Sequence, residues 1–480
     1  MNLQCILFRK ILLIIFGAFI CGTLQSAEPK TETFATAGWA EINITPPLGI
    51  ALGGRGAPST ASKKILDPLF AQVLYIKDAN ETGFVLISLD LIGISRELSE
   101  KIRLDIVHEL GVPWNLIVLN LSHTHSGPYM IRDLMAGVGP APEIEVEYFT
   151  TLRQKIVSAT RAAAKAMTPA KVEVFNGTSD IAINRRGKNK KGETAMLPDN
   201  NAPFDDNLWV MKLTPENGNA SAVIFSYACH PVIAYGFNFS AISADFPGVA
   251  RNLLREKLGE KVHAQFVQGL AGDVRPRAVA DLKNNRFRTS TPADLQKAGT
   301  DLADDILSAL KSNGKTLSLN IAGANDRPFL PRDKPPGREV YEKMKADAEK
   351  TTNKFHLAAS EHWLACYDSG EGFARGDAWP VGLIRLAESQ WICYFAGEPC
   401  VEWRAKISAW LPGKNIVPWG YCQEGLAYLP TEEMLPDGGY EVLESNRLRI
   451  STPAQHASGI NEAVRESLLR QLAFIEAEVK

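Results

Sequence analysis

Short apolar runs alternate along this chain with longer amphipathic stretches. Residues 37–44 read Ala-Gly-Trp-Ala-Glu-Ile-Asn-Ile, an alternating strand pattern stopped by Thr45-Pro46-Pro47. Residues 70–76 and 84–91 predict two further strands, the second apolar on both faces as in a sheet covered on both sides. A helix over 97–110 leads to another buried strand over 115–121. Strands are predicted again at 172–175, 208–213, 222–228, 264–268, 381–386 and 390–395. Helical periodicity covers 144–167, 246–258, 292–310, 340–366 and 460–479. Buried strands mixed with amphipathic helices predict an α/β fold, with a mixed multi-stranded sheet flanked by helices. No internal repeat interrupts the pattern. Residues 187–192 and 328–336 read as surface loops rather than domain boundaries. The glycine-rich run 53–56 lacks a Lys-Ser/Thr ending and a strand–GxGxxG–helix frame, so it is not a phosphate loop.

The first thirty residues break the pattern. Arg9 and Lys10 precede an apolar run over 11–21, and small and polar residues follow to Ala27. This is the layout of a secretory signal spanning 1–27, which leaves 28–480 as an exported chain, periplasmic or secreted. No later stretch approaches the ~18 apolar residues of a spanning helix, so no integral membrane span is expected after signal removal.

Composition narrows the class. Of 480 residues, 45% are hydrophobic and the net charge is −2, which excludes a disordered chain and argues against a nucleic-acid partner. Five cysteines remain after the signal, without a CxxC spacing. They allow at most two bridges and leave at least one thiol free. Any metal must be held by histidines and carboxylates.

The chain has only eight histidines. His123 and His125 follow the strand 115–121 directly, and His230 ends the strand 222–228. Strand C-termini are where sites gather in open α/β sheets, and histidine is the commonest metal ligand. Asp273 and Glu398 stand at two more strand ends, in Gly-Asp and Gly-Glu turns. Two histidines and a carboxylate leave a zinc position open for water, the arrangement of a metal hydrolase. A G-x-S-x-G frame and a His-Glu-x-x-His motif are both absent. Six tryptophans, Trp363, Trp379, Trp391, Trp403, Trp410 and Trp419, lie in the last third. They read equally as a cleft lining or as packing.

The segment His123-Thr124-His125-Ser126-Gly127-Pro128 resembles the "HTHSGP" segment of the neutral/alkaline (non-lysosomal) ceramidases. Further matches follow in family order. They are residues 37–45 with "GxADIT", Asn184-Arg185 with "NR", His230-Pro231 with "HP", Gly272-Asp273-Val274 with "GDVSP", Gly397-Glu398-Pro399 with "GEP", and Tyr440-Glu441 with "YE". The resemblance implies a zinc site with His123, His230, Glu398 and Tyr440 as ligands. His125 and Asp273 would be catalytic, and Arg185 would contact a small-molecule or lipid substrate. Neutral ceramidases cleave the amide between a fatty acid and sphingosine. One departure stands out: Arg275 replaces the serine of "GDVSP". It cannot act as a nucleophile. It brings instead a fixed charge for a substrate carboxylate, phosphate or sulfate, unless it turns outward into a surface salt bridge. The further C-terminal domain of full-length family members is not expected after Tyr440, so 28–480 is read as a single large catalytic domain.

The reading is therefore an exported zinc-dependent hydrolase that cleaves an N-acyl, ceramide-like amide. Two alternatives stand beside it. One is a non-catalytic exported lipid- or glycan-binding protein, and the other a metal hydrolase acting on an ester or glycan linkage.

Overall fold

A computed structural model describes residues 35–54, 60–132, 138–370, 372–449 and 453–478. The predicted signal segment 1–27 lies outside the described residues. The larger sheet holds strands β1 (Ala35–Asn43), β2 (Phe70–Lys77), β3 (Gly83–Leu89), β4 (Ile117–Leu121), β5 (Thr168–Thr178), β6 (Asn207–Pro215), β7 (Ala222–Tyr227) and β8 (His263–Gln268). Its spatial order is β8-β7-β6-β5-β1-β2-β3-β4, and a short strand, Lys315–Thr316, adds to β5. The pairs β3–β4 and β7–β8 are parallel and the rest antiparallel, so the sheet is mixed as predicted.

Strands β3, β4, β7 and β8 are buried at every position, which explains their unbroken apolar runs. Helices α1 (Arg96–Leu110) and α2 (Glu143–Lys165) pack together, and α2 packs on β1 and β2. Helices α3 (Asp245–Leu258) and α4 (Pro292–Ala309) pack together against β8 and β5 respectively. Thr291 and Asp294 form a capping box at the start of α4, which fixes where that helix begins.

The sheet folds over, so that β8 crosses β2, β3 and β4. Buried amides stitch the crossing. Gln72 donates to the Ala264 carbonyl, Gln265 Nε2 to Ser88 Oγ (3.0 Å) and Asn120 Nδ2 to the Gln268 carbonyl (3.2 Å). The Gln268 N–H donates back to Asn120 Oδ1 at 2.8 Å. An amide carries both donor and acceptor, so it can close a gap between strands that a leucine could only fill. The crossing brings the end of β4 to the ends of β7 and β8.

A second sheet has the order β9 (Ala322–Asp326), β10 (Val381–Ala387), β11 (Gln390–Phe395), β12 (Ile416–Trp419). Helices α5 (Arg338–Thr351) and α6 (Lys354–Ser369) form a hairpin, and α7 (Ile460–Glu478) covers β9 and β10. Strands β9 and β12 were not predicted, because Gly323 and Pro418 mask short runs that tertiary pairing recruits. The single helix expected over 340–366 is two. Thr352 turns left-handed (φ 54°), and Asn353 Oδ1 caps the next helix by accepting from the His356 N–H. Trp363, Trp379, Trp391, Trp403 and Trp419 are fully buried, so packing is the reading that holds for them. The cysteines Cys229, Cys366, Cys393, Cys400 and Cys422 form no disulfide with one another. From Phe34 to Lys480 the chain forms one compact unit. No helix of the described residues is long and apolar enough to cross a membrane.

Candidate active site

Four strand ends converge. His123 leaves β4 with φ 65°, a left-handed conformation that costs a non-glycine residue about 1–2 kcal/mol. Its N–H donates to the Leu91 carbonyl and its Nδ1 lies 2.7 Å from the Ile92 carbonyl. His230 leaves β7, and its Nδ1 lies 2.6 Å from the Ala271 carbonyl. A nitrogen facing a carbonyl must carry the proton, so each ring presents Nε2 as a lone pair in its neutral form.

Both lone pairs aim at one carboxylate. His123 Nε2 and His230 Nε2 lie 3.2 and 3.3 Å from Glu398 Oε2. All three residues are buried. Glu398 is delivered after β11 by Gly397, which takes φ 67°. A Cβ at Gly397 would sit 2.6 Å from the Ala427 carbonyl, so the Gly-Glu turn requires glycine.

His125 completes the group. The ligand atoms of His123, His125 and His230 lie within 4.8 Å of one another, close enough to share a metal ion. Both ring nitrogens of His125 are buried without a partner. Gly54 packs against this ring: a Cβ there would lie 2.4 Å from His125 Nδ1.

The electrostatics favour a cation. Burial, reinforced by Arg185, depresses the His230 pKa from 6.5 to about 4. Burial, then His123 and His230, hold His125 well below its ordinary value. Burial would raise the Glu398 pKa, but His123 and His230 keep it well below the usual carboxylate range. The two Nε2 atoms and the carboxylate oxygen therefore call for a shared positive charge among them, a proton or a metal ion. Nitrogen and carboxylate donors of this kind suit a divalent first-row metal ion.

Residues 36–311 match the family model for neutral/alkaline non-lysosomal ceramidase, N-terminal. The chain belongs to the neutral/alkaline ceramidase family. It is similar in structure to the neutral ceramidase from Pseudomonas aeruginosa, with a TM-score of 0.68 and 16% identity over 91% of this chain and 73% of that one. It is also similar to a ceramidase complexed with C2, with a TM-score of 0.70 and 15% identity over 93% of this chain and 76% of that one. These likenesses show a shared ceramidase fold.

The other residues expected from the ceramidase motifs surround the histidines. Arg185 is buried, with Nε 2.8 Å from Glu441 Oε1, and Nη2 has no acceptor. Arg186 Nη1 reaches the other oxygen of Glu441, also at 2.8 Å. Tyr440 stands beside Arg185, with its ring 5.8 Å from the guanidinium and 5.4 Å from the Tyr428 ring. It is 38% exposed, and the rings packed directly on the histidines belong to other tyrosines.

Asp273 is buried with both oxygens engaged. It accepts from the Val401 N–H at 2.8 Å and from Asn184 Nδ2 at 3.2 Å. It therefore ties the Glu398 turn to the strand that carries Arg185. Burial raises its pKa from 3.8 to about 6. Among the described residues Arg275 does not form the outward salt bridge of the alternative reading. It lies over the Phe287 ring at 4.6 Å, with Met196 Sδ 3.7 Å from Nη1.

Sequence reasoning missed Tyr421 and Tyr235. The Tyr421 ring lies 4.5 Å from that of His123, its φ is 55°, and its buried hydroxyl has no partner. It follows β12, whose short Pro-containing run conceals a fifth site-bearing strand end. Tyr235 lies 5.5 Å from His125, in a short helix five residues beyond His230.

Proposed function

We propose that the chain is an exported, zinc-dependent amidohydrolase that cleaves the N-acyl bond of a ceramide-like lipid. One observation carries this reading: two imidazole Nε2 atoms and one carboxylate oxygen meet at 3.2 and 3.3 Å, while both opposite Nδ1 atoms are committed to carbonyls. Family membership supports hydrolysis of an amide in a lipid. The layout of residues 1–27 supports export.

His123, His230 and Glu398 would hold the ion, with Tyr440 the fourth ligand that the family motifs imply. Zinc held there supplies Lewis acidity for an amide carbonyl and acidifies water. The carbonyls of Ile92 and Ala271 fix the tautomer and the aim of the two ligand rings. His125 is neutral with two unoccupied ring nitrogens, so it can take a proton from the attacking water and return it to the leaving amine. Arg185 Nη2 offers a donor to the substrate carbonyl or a neighbouring hydroxyl. Asp273 acts as a positioning residue, because it touches the two loops that carry Glu398 and Arg185.

The test is metal content and turnover in the purified full chain. Near-stoichiometric zinc is expected, with release of fatty acid from an N-acyl lipid that chelator stops and zinc restores. His230→Ala should lose both metal and turnover. A chelator-insensitive activity, or full activity in the metal-free variant, would overturn the reading.

A further inference from the structure

Charge around the arginines is unbalanced. Arg185 and Arg186 share a single carboxylate, Glu441. Asp273 is bonded to Asn184 and to the Val401 N–H rather than to either arginine. Arg275 stands on the strand Val274–Pro276, which pairs with Ala182–Asn184, so the two arginine-bearing segments run side by side. The Arg185 N–H donates to the Asp273 carbonyl at 2.8 Å, extending that ladder.

Among the described residues no carboxylate pairs with Arg275. Its neighbours are Phe287, Met196 and the Tyr235 hydroxyl. Its Nε is buried without an acceptor, as is Nη2 of Arg185. The guanidinium is nonetheless fixed: the Phe287 face holds one side, and Tyr235 links it to the ring of His125. A fixed, partly buried cation with a free donor edge is an anion site, and a guanidinium fork matches a carboxylate.

We infer that Arg275, with Arg185 beside it, binds a carboxylate carried by the substrate close to the scissile amide. The preferred substrates are then N-acylated amino acids, rather than N-acyl amines without a charge. This rests on the amidohydrolase reading above. In the reaction the amide C–N bond breaks, the water oxygen bonds to the acyl carbon, and the amine nitrogen takes up the proton. The products are a fatty acid and a free amino acid.

The experiment compares N-decanoylglycine with its neutral N-methylamide on the zinc-loaded full chain. The ratio of kcat/KM, charged over neutral, should favour the carboxylate about tenfold or more. It should collapse in Arg275→Ser and in Arg275→Gln, survive in part in Arg275→Lys, and shrink as salt is raised. A wild-type preference for the neutral amide would overturn the inference, as would a ratio unchanged in both neutral variants. Turnover of neither compound would count against the hydrolase reading alone. Calorimetric titration with the same two compounds then decides the anion site without turnover. Tighter binding of the carboxylate that is lost in Arg275→Ser sustains it, and equal binding of the two compounds ends it.

Discussion

Two buried polar clusters, one inside the larger sheet and one at the strand ends where both sheets meet, are built to opposite rules. In the first, Arg251 donates to both oxygens of Asp90, at 3.0 and 2.6 Å, and to Gln72 Oε1 at 2.6 Å. Asp90 also accepts from the Phe70 N–H. In the second, Nε2 of His230, both nitrogens of His125, Oε2 of Glu398, Nη2 of Arg185 and the Tyr421 hydroxyl are buried with no hydrogen-bond partner. Burying a polar group without a partner costs stability. One cluster therefore locks strands β2 and β3 to α3. The other holds its groups ready for something the chain itself does not contain. Full pairing marks a structural network, and concentrated unpaired atoms mark a site.

Glu398→Gln should produce the largest split between these two roles. The amide can donate to a histidine Nε2, which removes the repulsion among the site's acceptors. Metal content and turnover should fall to background, while the metal-free variant melts no lower than metal-free wild type. A variant that keeps its zinc, or a metal-free form clearly less stable than wild type, would contradict the contrast.

Asp90→Ala should act in the opposite sense. It leaves Arg251 buried without its carboxylate, at a cost of about 3–5 kcal/mol. Urea unfolding should report this, and the double variant Asp90→Ala/Arg251→Met should recover part of it. An additive double variant would deny the coupling.

Asp273 tests the middle ground through pH. Its pKa in the folded protein is about 6 against an ordinary 3.8. A raised pKa contributes stability that is fully present below pH 3.8 and lost as pH rises through about 6. Relative to Asp273→Asn, wild type should therefore lose about 2–3 kcal/mol across that window. A flat difference between the two stability curves would remove Asp273 from the account. As a positioning residue, it should also change KM and the metal affinity more than the proton-transfer step.

Gly54→Ala is the smallest change. The residue has φ 78°, so a side chain adds about 1–2 kcal/mol of strain, and its Cβ would displace the His125 ring. Lower turnover with zinc content retained is the expected outcome. Wild-type turnover would mean that His125 does not need its present position.

The legible part of this molecule follows from local physics. Unbroken apolar runs marked β3, β4, β7 and β8, and residues directly after strand ends marked His123, His230, Asp273 and Glu398. Those positions can be read because the chain must leave a buried strand somewhere, and polar residues there have few structural reasons to be histidine. What escaped depends on distant partners. The break at Thr352 is set by a cap that competes with a continuing helix. Strand β12 exists only because β11 offers it an edge. Tyr421 and Tyr235 meet the histidines through chain segments whose apposition no local pattern encodes. The family motifs located Arg185 and Arg275, but only the geometry shows that one shares its carboxylate and the other has none.

The amide stitches across the folded sheet also constrain how the protein comes to exist. Asn120 bonds the backbone of Gly420, 300 residues further along the chain. Contacts this far apart are closed late, because their loop entropy is met only after much else is in place. The strand ends that carry the histidines cannot meet Glu398 until the second sheet has docked. A nascent or clipped chain would then have no high-affinity place for the ion. Metal capture would report completed folding rather than initiate it, and the loaded state would be the slowest to come apart.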